Sequence, residues 1–178
     1  MEWVVLVSLF LLSIVLLIAG WFHLRWPRDP DVKIGPLDKP NTLRWWVIPR
    51  NPLFNIYLHK FVQSDTDEAL HDHPWLNMSI LLRGEYLEIM GDVAGLRPIV
   101  GNLRGVIRRP FRPVFRRAVT AHRVQLFMHG EYNDIPYPVW SLFITGPVLR
   151  EWGFHCPKGW VHWKDFTHDK YQPGKGCN

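Results

Sequence analysis

The chain has 178 residues, 47% of them hydrophobic and 14% aromatic, a composition that excludes intrinsic disorder and suits one folded domain plus an appendage. Its formal net charge of +5 favours anionic partners, yet no recognisable nucleic-acid motif accompanies the basic residues, and nucleic acid ranks low. Two cysteines, Cys156 and Cys177, give no disulfide framework, so a reduced compartment is expected.

Residues 3–22 (WVVLVSLFLLSIVLLIAGWF) form an uncharged apolar run, and about 20 such residues in a helix cross the bilayer hydrocarbon. The first predicted element is therefore an N-terminal transmembrane α-helix, with residues 1–24 as an anchor in a lipid bilayer. A secretory signal peptide is the competing reading, but it needs a basic start and a small-x-small cleavage site. Here Glu2 is the only charge ahead of the run and bulky Trp21 follows Ala19-Gly20. A buried core helix would normally carry a polar face, which the run lacks. Arg25, Arg28 and Lys33 follow the run and no Lys or Arg precedes it, so the positive-inside rule predicts a single-pass protein with a cytoplasmic C-terminal domain. Trp3, Trp21 and Trp26 would sit at the two interfaces.

Residues 25–53 hold Pro27, Pro30, Pro36, Pro40, Pro49 and Pro52 and read as an extended tether. Trp45-Trp46 would anchor it against the domain or the membrane interface. From residue 54 to 178 the texture changes. NIYLHKF, MSILLRGEYLEIM, VFRRAVTAHRVQLF, VWSLFITG and EWGFHC are short, β-branched and aromatic, and are separated by Gly, Pro, Asn and Asp. They predict a mainly β, antiparallel sandwich or barrel. Helix is scarce, with DTDEAL (65–70) the best single turn.

Arg97, Arg104, Arg108, Arg109, Arg112, Arg116, Arg117 and Arg123 occur between Asp92 and Glu131 with no acidic residue among them. One reading is a solvated face beside anionic lipid. The other turns one or two of these arginines inward to grip an anionic substrate, since the guanidinium fork suits a carboxylate or phosphate.

In LHDHPWLNMSILLRGEY (70–86), His71, His73, Asn77, Ser79 and Leu81 share one face if the segment is a regular strand. Two imidazoles would then converge as metal ligands, with a third required from elsewhere. The bland reading is a pair of ordinary polar histidines near a strand end. In RRAVTAHRVQLF a regular strand would put Arg116, Ala118, Thr120, His122, Val124 and Leu126 on one face. His59 and His155 read either as ordinary half-buried histidines or as pocket residues, and Trp152 as core or pocket wall. Cys156 reads as an apolar filler. His162, close to His155 in GFHCPKGWVHW, reads as a pocket wall or as a residue behind it, and His23, His129 and His168 carry no usable spacing.

The spacing His71-x-His73, three residues, Asn77, six residues, Gly84 resembles the first motif of the cupin superfamily, in which a glutamate ligand stands where Asn77 does. HDHPW (71–75), AHRV (121–124) and TGPVLREWGF (145–154) are similar to segments of small single-domain bacterial and phage cupins. The resemblance implies a cupin-type antiparallel β-barrel (double-stranded β-helix) with His71, His73 and His122 as metal ligands. Asn77 becomes a metal or nearby ligand, and Arg116, His59, Trp152 and His155 candidates for binding substrate.

Three histidines without a carboxylate are similar to the iron site of thiol dioxygenase cupins. This implies a divalent ion, Fe(II) favoured with Zn, Ni or Mn as alternatives, and an oxygenase-like enzyme acting on a small anionic molecule. A metal-dependent isomerase or lyase, a non-catalytic metal- or ligand-binding module, and a metal-free barrel using a histidine as base stay open. A homodimer is an open assembly.

Overall fold

The computed structural model describes residues 2–25, 28–36, 38–65, 69–92, 99–132, 134–167 and 174–178. Trp26, the helical turn expected in DTDEAL, Arg97 and His168 lie outside the described residues, as do the side chains of Trp21, His23 and Arg25. The chain divides into two compact units, Met1–Pro30 and Asp31–Asn178.

In the first unit the apolar run folds as helix α1 (Glu2–Arg25). Among the described residues, however, no helix is long and apolar enough to cross a membrane. This corrects the expectation of a single-pass bilayer anchor carrying a cytoplasmic domain.

The second unit is built from antiparallel strands. One six-stranded sheet joins β1 (Val32–Ile34), β2 (Thr42–Trp46), β3 (Asn55–Phe61), β12 (Val139–Thr145), β5 (Asn77–Arg83) and β8 (Pro113–Arg116), in that order. The other joins β14 (Gly159–His162), β13 (Gly153–Cys156), β4 (Leu70–His71), β9 (His122–Leu126), β6 (Tyr86–Asp92) and β7 (Ile99–Arg108). A two-stranded ribbon, β10 (Met128–His129) with β11 (Ile135–Pro136), and a short helix α2 (Trp163–Phe166) complete it.

Period-2 burial explains these elements: along β12 every second residue from Val139 to Thr145 is buried, and β3 alternates in the same way. Leu81 and Val139 of the first sheet pack with Tyr86, Val124 and Leu126 of the second to form the main core. The β5–β6 connection turns at Gly84, whose φ of +78° and close approach to Pro138 O exclude a side chain.

Three expectations are revised here. The proline-rich segment supplies β1 and β2 at the edge of the first sheet, where proline is tolerated, and Trp45 is buried and stacked on Trp140 at 5.6 Å. The HDHPW stretch is not one strand, because Pro74 cannot extend a ladder; the chain leaves the second sheet after His71 and enters the first at Asn77. Likewise VFRRAVTAHRV turns at 118–119, so Arg116 and His122 lie on different strands and different sheets.

The cysteines also depart from expectation. Cys156 is no lone filler: it is disulfide-bonded to Cys177, closing 21 residues of sequence with Cα atoms 5.3 Å apart. The bond joins β13 to the C-terminal segment beside an apolar cluster of Phe154, Phe166 and Trp163. Disulfides persist in oxidising surroundings, so the expectation of a reduced compartment is corrected.

Candidate metal centre

Three elements converge on one point. β4 brings His71, the loop behind it brings His73, and β9 brings His122 directly across from His71 in the ladder. The imidazole rings form a near-equilateral triangle: their centroids are 5.2 Å apart for His71 and His73, 4.9 Å for His71 and His122, and 5.1 Å for His73 and His122. One ring nitrogen from each lies within 4.8 Å of the others, and His73 Nε2 stands 2.8 Å from His122 Nε2. Two ligands about 2.1 Å from a common ion at a right angle would be ~3 Å apart, so the spacing suits shared coordination.

Electrostatics keeps the donors available. Burial pushes His71 down to about 4, against a smaller opposing pull from Asp65. Burial, aided by the other two histidines and by the Arg116 and Arg44 charges, holds His73 well below the ordinary range. Both are therefore neutral at pH 7, the form that ligates metal. The donor chemistry and its geometry fit a divalent metal ion.

Behind the triangle lies a buried ionic cluster. Glu88 of β6 is fully buried, and its Oε1 is 2.6 Å from His122 Nδ1. A carboxylate this close to Nδ1 favours the tautomer with the proton there, which leaves Nε2 as ligand. Arg116 donates through Nε to Glu88 Oε1 at 2.6 Å, and Arg108 through Nε to Oε2 at 2.5 Å. Burial by itself would raise the Glu88 carboxyl, but its bonds to His122 and Arg116 outweigh that and hold it far below the usual carboxylate range.

Arg116 also donates to Ser79 Oγ at 2.8 Å and to Tyr86 OH at 3.5 Å. The expected grip on a substrate is thus taken up by the protein's own carboxylate, and Arg116 serves the cluster behind His122. Among the described residues of the arginine-rich segment, Arg108 and Arg116 turn toward Glu88.

A second carboxylate braces the histidine motif from outside. Asp72, between the two ligand candidates, is almost fully buried; it accepts from Gly153 N at 2.9 Å and Trp160 Nε1 at 3.1 Å, and forms an ion pair with Arg150 Nη1 at 2.7 Å. His155 Nε2 is 3.1 Å from Oδ2, the oxygen that Trp160 and Arg150 also meet, which places His155 behind the motif. Trp152 borders His71 edge-on with centroids 6.5 Å apart.

His59 lies on the inner face of the first sheet, stacked on Phe143 at 5.0 Å, and Phe143 lies 6.0 Å from His73. Asn77 is buried, and neither its Oδ1 nor its Nδ2 has a hydrogen-bond partner; the same holds for Oγ1 of Thr145, its neighbour across the ladder.

Glu88, Asp72 and Arg44 escaped the sequence reading. Glu88 had a signal, a charge in register with inward Tyr86 within the apolar run Tyr86–Met90. Asp72 had none, because its partners lie about 80 residues away in the β13–β14 hairpin.

No family model matches the chain, and no curated protein does. Among solved structures it is similar to an Fe(II) form of HppE in complex with substrate, with TM-score 0.48 and 11% identity over 66% of this chain and 56% of that one. It is similar to the DMSP lyase DddQ from Ruegeria pomeroyi, with TM-score 0.47 and 14% identity over 76% of this chain and 62% of that one. A putative mannose-6-phosphate isomerase from Ralstonia eutropha gives TM-score 0.46 and 17% identity over 64% and 91%. The chain spans little more than half the length of the first of these, and similarity this distant assigns no activity.

Proposed function

We propose that the chain is a cupin-type, mononuclear non-haem metalloenzyme, oxygenase-like, in which His71, His73 and His122 hold one divalent ion, Fe(II) favoured over Zn, Ni or Mn. Its substrate is a small anionic molecule. The observation that carries this reading is the three-histidine triangle with the Glu88 carboxylate 2.6 Å from Nδ1 of His122. When bound, Fe(II) supplies Lewis acidity and one-electron chemistry at positions that three protein ligands leave open.

The chain's own residues do the rest. Glu88 keeps His122 in its ligating tautomer, and Arg116 and Arg108 keep Glu88 ionised. Trp75, stacked on His73 at 5.6 Å, and Phe143 give the site apolar walls that limit water. Asn77 offers an amide for a hydrogen bond or a weak carbonyl ligand. Trp152 closes the side next to His71.

The test is elemental analysis of the full chain, produced without a histidine tag and loaded anaerobically with Fe(II). One ion per chain is expected, and loss of the ion in the triple variant H71A/H73A/H122A; a folded wild-type chain without stoichiometric metal overturns the reading. Asn77 in place of a carboxylate ligand favours a second reading, a metal-binding module without turnover. Oxygen uptake across a panel of small thiols and acids separates the two.

A further inference from the structure

Arg44 carries a charge that the fold leaves without a counterion. It lies on β2 directly opposite His59 of β3, with Trp46 opposite Tyr57, so Arg44, His59 and Tyr57 share the inner face of the first sheet. Arg44 donates through Nε to His59 Nε2 at 2.8 Å, and its guanidinium carbon lies 4.7 Å from the Tyr57 ring centroid.

The other inward arginines are each matched to an acid: Arg108 and Arg116 to Glu88, and Arg150 to Asp72. Among the described residues no carboxylate pairs with Arg44, and its two terminal nitrogens make no hydrogen bond. Arg44 is half-buried, and a charge partly withdrawn from water without an acidic partner costs stability. Folded proteins keep one where a ligand brings the missing charge.

The surroundings hold the guanidinium ready. Burial pushes Arg44 down to about 10, still cationic at neutral pH. Burial, with the Arg44 charge, holds His59 well below the ordinary range. Neutral His59 therefore offers Nε2 as acceptor and turns the Nε edge of Arg44 toward itself, which leaves the terminal nitrogens for another partner. From His59 the stack continues through Phe143 to His73, and the Arg44 charge is felt at His73.

We infer that Arg44 is the anion receptor of this interior. Its terminal nitrogens take the oxyanion end of the substrate, a carboxylate, phosphate or phosphonate, on the far side of Phe143 from the metal, and His59 is the residue that positions it. The link to a substrate of the metal rests on the proposed function; the anion site itself does not. Arg116, locked to Glu88, is excluded from this role.

The experiment uses the full chain, metal-free and Zn-loaded, in thermal denaturation and tryptophan fluorescence titrations with acetate, inorganic phosphate, methylphosphonate and neutral acetamide. At least one oxyanion is expected to raise Tm and to saturate in both forms, while acetamide does neither; which oxyanion saturates first distinguishes the sources.

Arg44→Met is expected to bind that oxyanion at least tenfold more weakly and, without ligand, to melt no lower than wild type, because the unneutralised charge is gone. Arg44→Lys keeps the charge but loses the fork, and a fivefold or larger weakening is expected. If Arg44→Met does not fold, Arg44→Lys decides. Wild-type affinity in the deciding variant, or no response of wild type to any oxyanion, overturns the inference. Metal content measured in the same samples keeps the two claims apart: an Arg44-dependent response without bound metal sinks the enzyme reading alone, and bound metal with an Arg44-independent response sinks the receptor alone.

Discussion

At the scale of single residues, Glu88 has the widest reach, since one buried carboxylate balances two arginines and orients a ligand histidine. Glu88→Gln leaves Arg116 and Arg108 without their counterion, and removing one member of a buried ionic cluster costs about 3–5 kcal/mol. Urea denaturation of the metal-free chain should show that loss, and competitive metal titration should show affinity down about 10–100-fold, as for other partners of ligand histidines. His59 makes a pH claim. Its folded pKa is depressed below the ordinary 6.5, so below pH 6.5 the unfolded chain takes up a proton that the folded one refuses. The associated stability is present above 6.5 and is lost as pH falls toward the depressed value. Urea midpoints from pH 8 to pH 5 should therefore fall more steeply in wild type than in His59→Gln, and parallel curves would remove the argument. At this scale the His71 and His73 pair was legible, because HxH spacing is local, whereas His122, on a distant strand, was reached only through the resemblance. The arginines were legible only as a charge run, since which of them turn inward depends on a carboxylate on another strand.

At the scale of elements, the β13–β14 hairpin matters to the site although it supplies no ligand. Gly153 lies where a Cβ would come 2.1 Å from Val161 O and 2.8 Å from the Trp160 ring, and the same residue donates its N–H to Asp72. Gly153→Ala must push the hairpin apart, and overpacking of this kind costs about 1–3 kcal/mol. Thermal denaturation should record the loss, and metal affinity should fall with it because Asp72 loses its seat. A variant with unchanged affinity would show that the hairpin does not support the motif. Strand positions were readable from period-2 apolar patterning, as β3 and β12 demonstrate. Their breaks were less so: Pro74 and the turn at 118–119 split segments that alternate as though continuous, because tertiary pairing selects which part of an apolar run joins which sheet.

At the scale of the whole molecule, the two sheets share one core, and the Cys156–Cys177 bond fastens the C-terminal segment to the second of them. Closing a loop of this length stabilises a chain by about 3 kcal/mol in the loop-entropy account. Denaturation with and without reductant should differ by that order, and Cys177→Ser should match the reduced wild type. The pairing was not legible, since two cysteines in sequence say nothing about how close the fold brings them. Nor was the place of Trp45 and its neighbours in a sheet, because prolines on either side mask an edge strand. The Asp72 arrangement has a consequence for anyone seeking to move this centre into another scaffold. Because its middle residue is clasped by Arg150, Gly153 and Trp160, the His-Asp-His tripeptide is not a portable cassette. A graft carrying only the histidines would leave Asp72 with a buried charge and nothing to hold it, so the smallest transplantable piece includes residues 150–160.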